Sequence, residues 1–165
     1  MSTKFDTSKS EGPHSQLAKL IGEWEGTASV WFEPSKPEDE SPITGSMRSI
    51  LDGRFIMHEY ATSFKGTPIT GIAIIGYHLE LKKFQVAWVD SFHNGTAIMF
   101  SEGKREDSSM AVLGGYTYVT PELEQHWGWR TEIEIRNDNE IVFTAFNISP
   151  DGEEAKATET VYQRR

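Results

Sequence analysis

Leu20-Ile21-Gly22-Glu23-Trp24-Glu25-Gly26 is the stretch where the chain changes its period. Just before and into it, His14 to Ile21 places Leu17, Leu20 and Ile21 at helical spacing, enough for one or two turns that Gly22 ends. After Gly22, Trp24, Gly26, Ala28, Val30 and Phe32 alternate with Glu23, Glu25, Thr27, Ser29 and Trp31, the period-two pattern of a half-buried strand. The rest of the chain repeats that alternation. A Gly-x-Trp leading into the first strand of a long meander points to a container.

Working outward, strands are expected at 23–33, 43–51, 54–64, 68–78, 83–92, 95–103, 109–119, 127–136, 140–149 and 155–163. Asp52-Gly53, Lys65-Gly66, Asn94-Gly95, Asp138-Asn139 and Asp151-Gly152 fall between them, and turns that tight join only antiparallel neighbours. An open sheet of ten strands leaves two unpaired edges, which closure removes. The expectation is therefore an all-β fold: one closed antiparallel up-and-down β-barrel of about ten strands, with the short N-terminal helix at one end. A β-sandwich is the rival, disfavoured because its crossovers need long connections and 33–42 and 120–126 are short. Gly45, Gly71, Gly76, Gly114 and Gly115 lie inside strands and are expected to mark bulges or corners. Residues 1–13 read as a flexible polar tail and 14–165 as a single barrel domain.

At 165 residues and 37% hydrophobic content the chain suits one domain with one core. Its net charge of −9 argues against nucleic acid and anionic membrane surfaces, which call for clustered Lys and Arg. With no cysteine, disulfides, thiolate metal sites and a Cys nucleophile are excluded. The polar start lacks the apolar core of a secretory signal and no apolar run reaches membrane-spanning length, so a cytoplasmic location is the expectation. In that setting Asn94-Gly95-Thr96 and Asn147-Ile148-Ser149 are chance glycosylation triplets.

Several stretches together resemble one bacterial family, that of domain of unknown function 1579: Leu20–Gly26, Gly53-Arg54-Phe55-Ile56 with Glu59-Tyr60, Gly71–Tyr77, Lys82-Lys83-Phe84 and Trp88-Val89-Asp90-Ser91. The resemblance covers about 20–163 and implies a calycin-like barrel, related in shape to lipocalins and fatty-acid-binding proteins, with no activity attached. His78 stands where that family commonly has Asp after Gly-Tyr. The Gly-x-Trp start is also similar to that of the nitrobindin group, barrels that hold haem through a histidine near the end of the last strand. Residues 155–163 contain no histidine, so that route to haem lacks its ligand here.

No catalytic constellation emerges. Ser91, Ser101 and Ser109 sit in no nucleophile elbow, and Gly71–Gly76 lacks the Lys-Ser/Thr of a phosphate loop. His14, His58, His78, His93 and His126 are scattered singly, without the paired spacing of a metal site, and neither metal nor cofactor is expected. The candidates for lining a lumen are Trp24, His58, Tyr60, Trp88, Asp90, Tyr116 and Trp129. His58 has two readings: an outward, solvated imidazole, or an inward one that needs a partner. Asp90 shares a face with Phe84, Val86 and Trp88; it either caps the turn that follows or orients a ligand.

The expected role is binding or carrying a small hydrophobic or amphipathic molecule. The first alternative is an isomerase- or cyclase-type enzyme using Asp90 or His58 as general base. The second is a protein-interaction barrel, a homodimer in which Trp31 on the polar face of the first strand makes contact.

Overall fold

The computed structural model describes residues 3–165, and in it ten antiparallel strands close into a barrel. They are β1 (Gly22–Val30), β2 (Asp39–Ile50), β3 (Phe55–Phe64), β4 (Thr67–His78), β5 (Lys83–Asp90), β6 (Met99–Glu102), β7 (Met110–Val119), β8 (Glu124–Asn137), β9 (Glu140–Ile148) and β10 (Glu154–Arg164). Each pairs with its sequence neighbours, and β1 pairs with β10 from Trp24↔Arg164 to Val30↔Thr158. No crossover interrupts the order, which settles the choice between barrel and sandwich.

Alternation along an up-and-down barrel places loops 31–38, 65–66, 91–98, 120–123 and 149–153 at one rim. Loops 51–54, 79–82, 103–109 and 138–139 lie at the other, with the helices. Two helices are found there: α1 (Lys4–Glu11) and α2 (Pro13–Ala18). The expected tail is therefore helical over Lys4–Glu11; Met1 and Ser2 lie outside the described residues. The reason is local. Thr3 and Asp6 form a reciprocal capping box, each side chain meeting the other's backbone N–H, and this satisfies two donors that a helix start leaves open. Phe5 then packs edge-on against His14 at 4.9 Å, and Ser8 Oγ meets His14 Nδ1 at 2.8 Å.

α2 acts as a stopper. Leu17 and Leu20 are fully buried beside Trp24, whose indole Nε1–H donates to Leu20 O at 2.9 Å. Over the face of that indole lies the Arg164 guanidinium, 4.2 Å from the ring centre, and Arg164 also donates to the backbone carbonyls of Lys19, Ile21 and Asp138. Helix end, first strand and last strand are thus tied at one point.

Strand glycines have a different use from the one expected. The register shifts fall between Lys156 and Thr158 and between Ile135 and Asn137, not at Gly45, Gly71, Gly76, Gly114 or Gly115. A Cβ on Gly45 would lie within the Tyr162 ring, one on Gly71 within the Tyr60 ring, and one on Gly76 against Phe55. These glycines let aromatic side chains cross the neighbouring strand.

Candidate functional site

The core divides along the barrel axis. Near the helices, Trp24, Met47, Ile56, Ile141 and Tyr162 fill the bore. Toward the opposite rim a smaller cluster of Met99, Trp129, Ala145 and Ala157, with Trp88 and Tyr116 against it, leaves space unfilled. That space is a cavity of about 130 Å³, walled by side chains such as Ile69, Ala73, Val86, Val112, Ile133 and Phe143. None of its lining residues is Lys or Arg.

Of the residues expected to line a lumen, His58, Tyr60, Trp88, Asp90 and Trp129 meet at this cavity. Trp24 does not; it belongs to the filled end. Tyr116 stands behind the wall, donating from its hydroxyl to Asn147 Oδ1 at 2.8 Å. Trp31 lies beyond the end of β1, half-buried, with the Lys156 ammonium 4.4 Å from its ring centre.

His58 faces inward, which overturns the solvated reading. It is 6% exposed, and its Nε2 lies 2.9 Å from the Tyr162 hydroxyl across the bore. The rings of Tyr60 and Phe143 flank it at 5.2 Å each. Burial without a nearby charge disfavours the imidazolium and pushes its pKa down to about 4. The Tyr162 hydroxyl is pushed up for the same reason, so this pair stays neutral at ordinary pH.

Asp90 caps the turn that follows it, one of the two readings its position allowed. Its carboxylate is fully covered and accepts four bonds: from Asn94 N–H at 2.8 Å and Phe92 N–H at 3.3 Å on Oδ1, and from His93 Nδ1 at 2.8 Å and Tyr60 OH at 3.4 Å on Oδ2. Burial pushes its pKa up, but the bonds from His93, Asn94 and Phe92 outweigh that and hold it below the ordinary value. Tyr60 in turn accepts from Trp88 Nε1 at 2.9 Å, and burial beside the Asp90 charge raises its own pKa. These contacts also shorten the sixth strand. With residues 92–94 drawn onto Asp90, the expected 95–103 strand becomes a loop to Ile98 followed by β6 at Met99–Glu102.

His93 was legible only as an isolated histidine. It borders the cavity, its Nδ1 bound to Asp90 and its ring 5.5 Å from Trp88 and 5.6 Å from Trp129, which stack on each other at 5.6 Å. The signal was the spacing Trp88-x-Asp90-x-x-His93, where a turn after an inward Asp brings a residue three positions on back to the carboxylate.

Residues 9–164 match the family described as "Protein of unknown function (DUF1579)", nearly the whole described chain. The chain belongs to that family. Among solved structures, this DUF1579 member is similar to Rv2717c from M. tuberculosis, with 11% identity, a TM-score of 0.60, and 93% of this chain and 97% of that one covered. It is also similar to the S-type phycobiliprotein lyase CPES from Guillardia theta, with 11% identity, a TM-score of 0.54, and coverage of 92% and 91%. At such identities the likeness is one of fold. No curated protein matches the DUF1579 chain in sequence. No helix among the described residues is long and apolar enough to cross a membrane.

Proposed function

We propose that this DUF1579 protein binds a small, mainly apolar molecule inside the barrel. The observation that carries the reading is the unfilled space of about 130 Å³, bounded mainly by apolar surface and by several Ser and Thr side chains, with Tyr60, Asp90 and His93 as a hydrogen-bonded polar group in its wall. Well-packed interiors leave few voids larger than a water molecule, so retained space of this size beside convergent polar groups suits a ligand. An apolar void of roughly 150 Å³ is enough for benzene, which sets the scale at one ring or a short branched chain. The lyase CPES has the same kind of barrel, which fits a ligand role without naming the ligand.

The enzyme alternative loses support at the two residues first considered for it. His58 is pushed to about 4 and Asp90 is held below its ordinary value, and both are weak bases at neutral pH. Filling the cavity tests binding directly. Ala73, 6% exposed and in the cavity wall, is replaced in Ala73→Leu. Native mass spectrometry of freshly purified protein and titration with benzene-sized probes should find binding in the parent and a loss of about tenfold or more in the variant, as expected for an occupied void. Equal behaviour of the two, or no binding by the parent, overturns the reading.

A further inference from the structure

Resting on the cavity as a ligand site, we propose that its ligand class is a neutral single-ring compound with an acidic hydroxyl, a phenol, and that His93 Nε2 receives that hydroxyl. The geometry leaves His93 little else to do. Its Nδ1 is occupied by Asp90 at 2.8 Å, a bond that places a proton on Nδ1 and, in the neutral ring, leaves Nε2 with a free lone pair. No partner for Nε2 is found among the described residues, while the ring itself borders the cavity and its side chain is 23% exposed. An acceptor is thus held at the edge of an apolar void and asks for a donor.

Charge narrows the class further. A carboxylate ligand would need a cation, and none of the cavity-lining residues is Lys or Arg, while the chain as a whole carries −9. A neutral molecule that gives up a proton only on arrival avoids that difficulty. If the hydroxyl proton crosses to Nε2, the product is a phenolate facing an imidazolium whose other nitrogen lies against the Asp90 carboxylate; no other bond changes. Size and shape agree. About 130 Å³ suits one ring, and the stacked pair Trp88–Trp129 offers it aromatic faces beside His93.

The test compares 4-cyanophenol, still mostly protonated when free at neutral pH, with its methyl ether, 4-methoxybenzonitrile, and with benzoate, by calorimetric titration at neutral pH. The expected result is that the parent protein binds the phenol about tenfold or more tightly than the ether, the ether more tightly than benzoate, and that the bound phenol's absorption moves toward the phenolate form. His93→Gln should bring the phenol-to-ether ratio to within about threefold, with the ether itself still bound. Asp90→Asn, which removes the carboxylate charge behind Nδ1–H, should reduce the ratio too. It provides a second variant where His93→Gln folds poorly by circular dichroism. A parent that binds phenol and ether equally, or benzoate best, overturns the phenol proposal while leaving the cavity reading intact. A parent that binds none of these yet binds a hydrophobic dye overturns it as well. Failure of every apolar probe removes the cavity reading itself.

Discussion

His58 shows how one buried side chain couples fold and solution conditions. In the unfolded chain an imidazole takes up a proton near its ordinary 6.5; in the barrel it does so only near about 4. Between those values the unfolded state binds more protons, so stability is complete above 6.5 and falls as pH drops toward 4. The full shift is worth about 3 kcal/mol, since the group is fully enclosed. His58→Gln keeps a hydrogen-bonding group for Tyr162 but does not titrate. Urea denaturation at a series of pH values should show the variant losing much less stability across that window than the parent. Asp90 acts in a lower range: its depressed pKa adds stability that is present above the unfolded value of 3.8 and disappears as pH falls below it. The two contributions therefore separate on the pH axis, and parallel curves for parent and His58→Gln between 6.5 and 4 would refute the account of His58.

At the scale of elements, the barrel depends on a seam between strands at opposite ends of the chain. β1 and β10 pair over seven positions, and at the third of them Gly26 faces Tyr162. A Cβ on Gly26 would overlap the backbone carbonyl of Val161, and a backbone atom on a paired strand has nowhere to move. Gly26→Ala is therefore expected to cost about 3 kcal/mol or more, at the upper end of overpacking effects. Gly152→Ala, in an open turn at φ +85°, should cost about 1–2 kcal/mol from backbone conformation alone. Chemical denaturation of both variants checks the order, and a Gly152→Ala that is the more damaging would show that the seam tolerates opening. All ten strands could be read from sequence because each carries its own alternation, and a local signal needs no knowledge of neighbours. The Gly26 constraint could not, since it arises from Val161, 135 positions away. The same holds for His58, whose direction depends on Tyr162, and for α1, whose polar residues hide a cap made by two side chains. His93 lies between these cases: its link to Asp90 is local, but the turn that makes it so appears only when Phe92 and Asn94 are seen donating to the same carboxylate.

For the whole molecule, the division into a filled end and a hollow end assigns stability and ligand binding to different residues. Leu17, Leu20 and Trp24 are essentially sealed from solvent, and the stopper they form with Arg164 joins helix, β1 and β10. The cavity wall shares none of these residues. Leu20→Ala should then destabilise the protein by about 2–5 kcal/mol, the range for emptying a buried leucine site. Its affinity for a cavity probe, measured under conditions where it remains folded, should stay within about threefold of the parent, because Leu20 is not among the residues that line the cavity. A probe present at about 100 times its dissociation constant should raise the stability of both proteins by about 2.7 kcal/mol. The comparison is informative either way. If Leu20→Ala weakens probe binding in step with its loss of stability, the two ends form one cooperative core and the hollow end is held open from below. If only stability falls, the barrel carries its empty space on a foundation that is energetically separate from it.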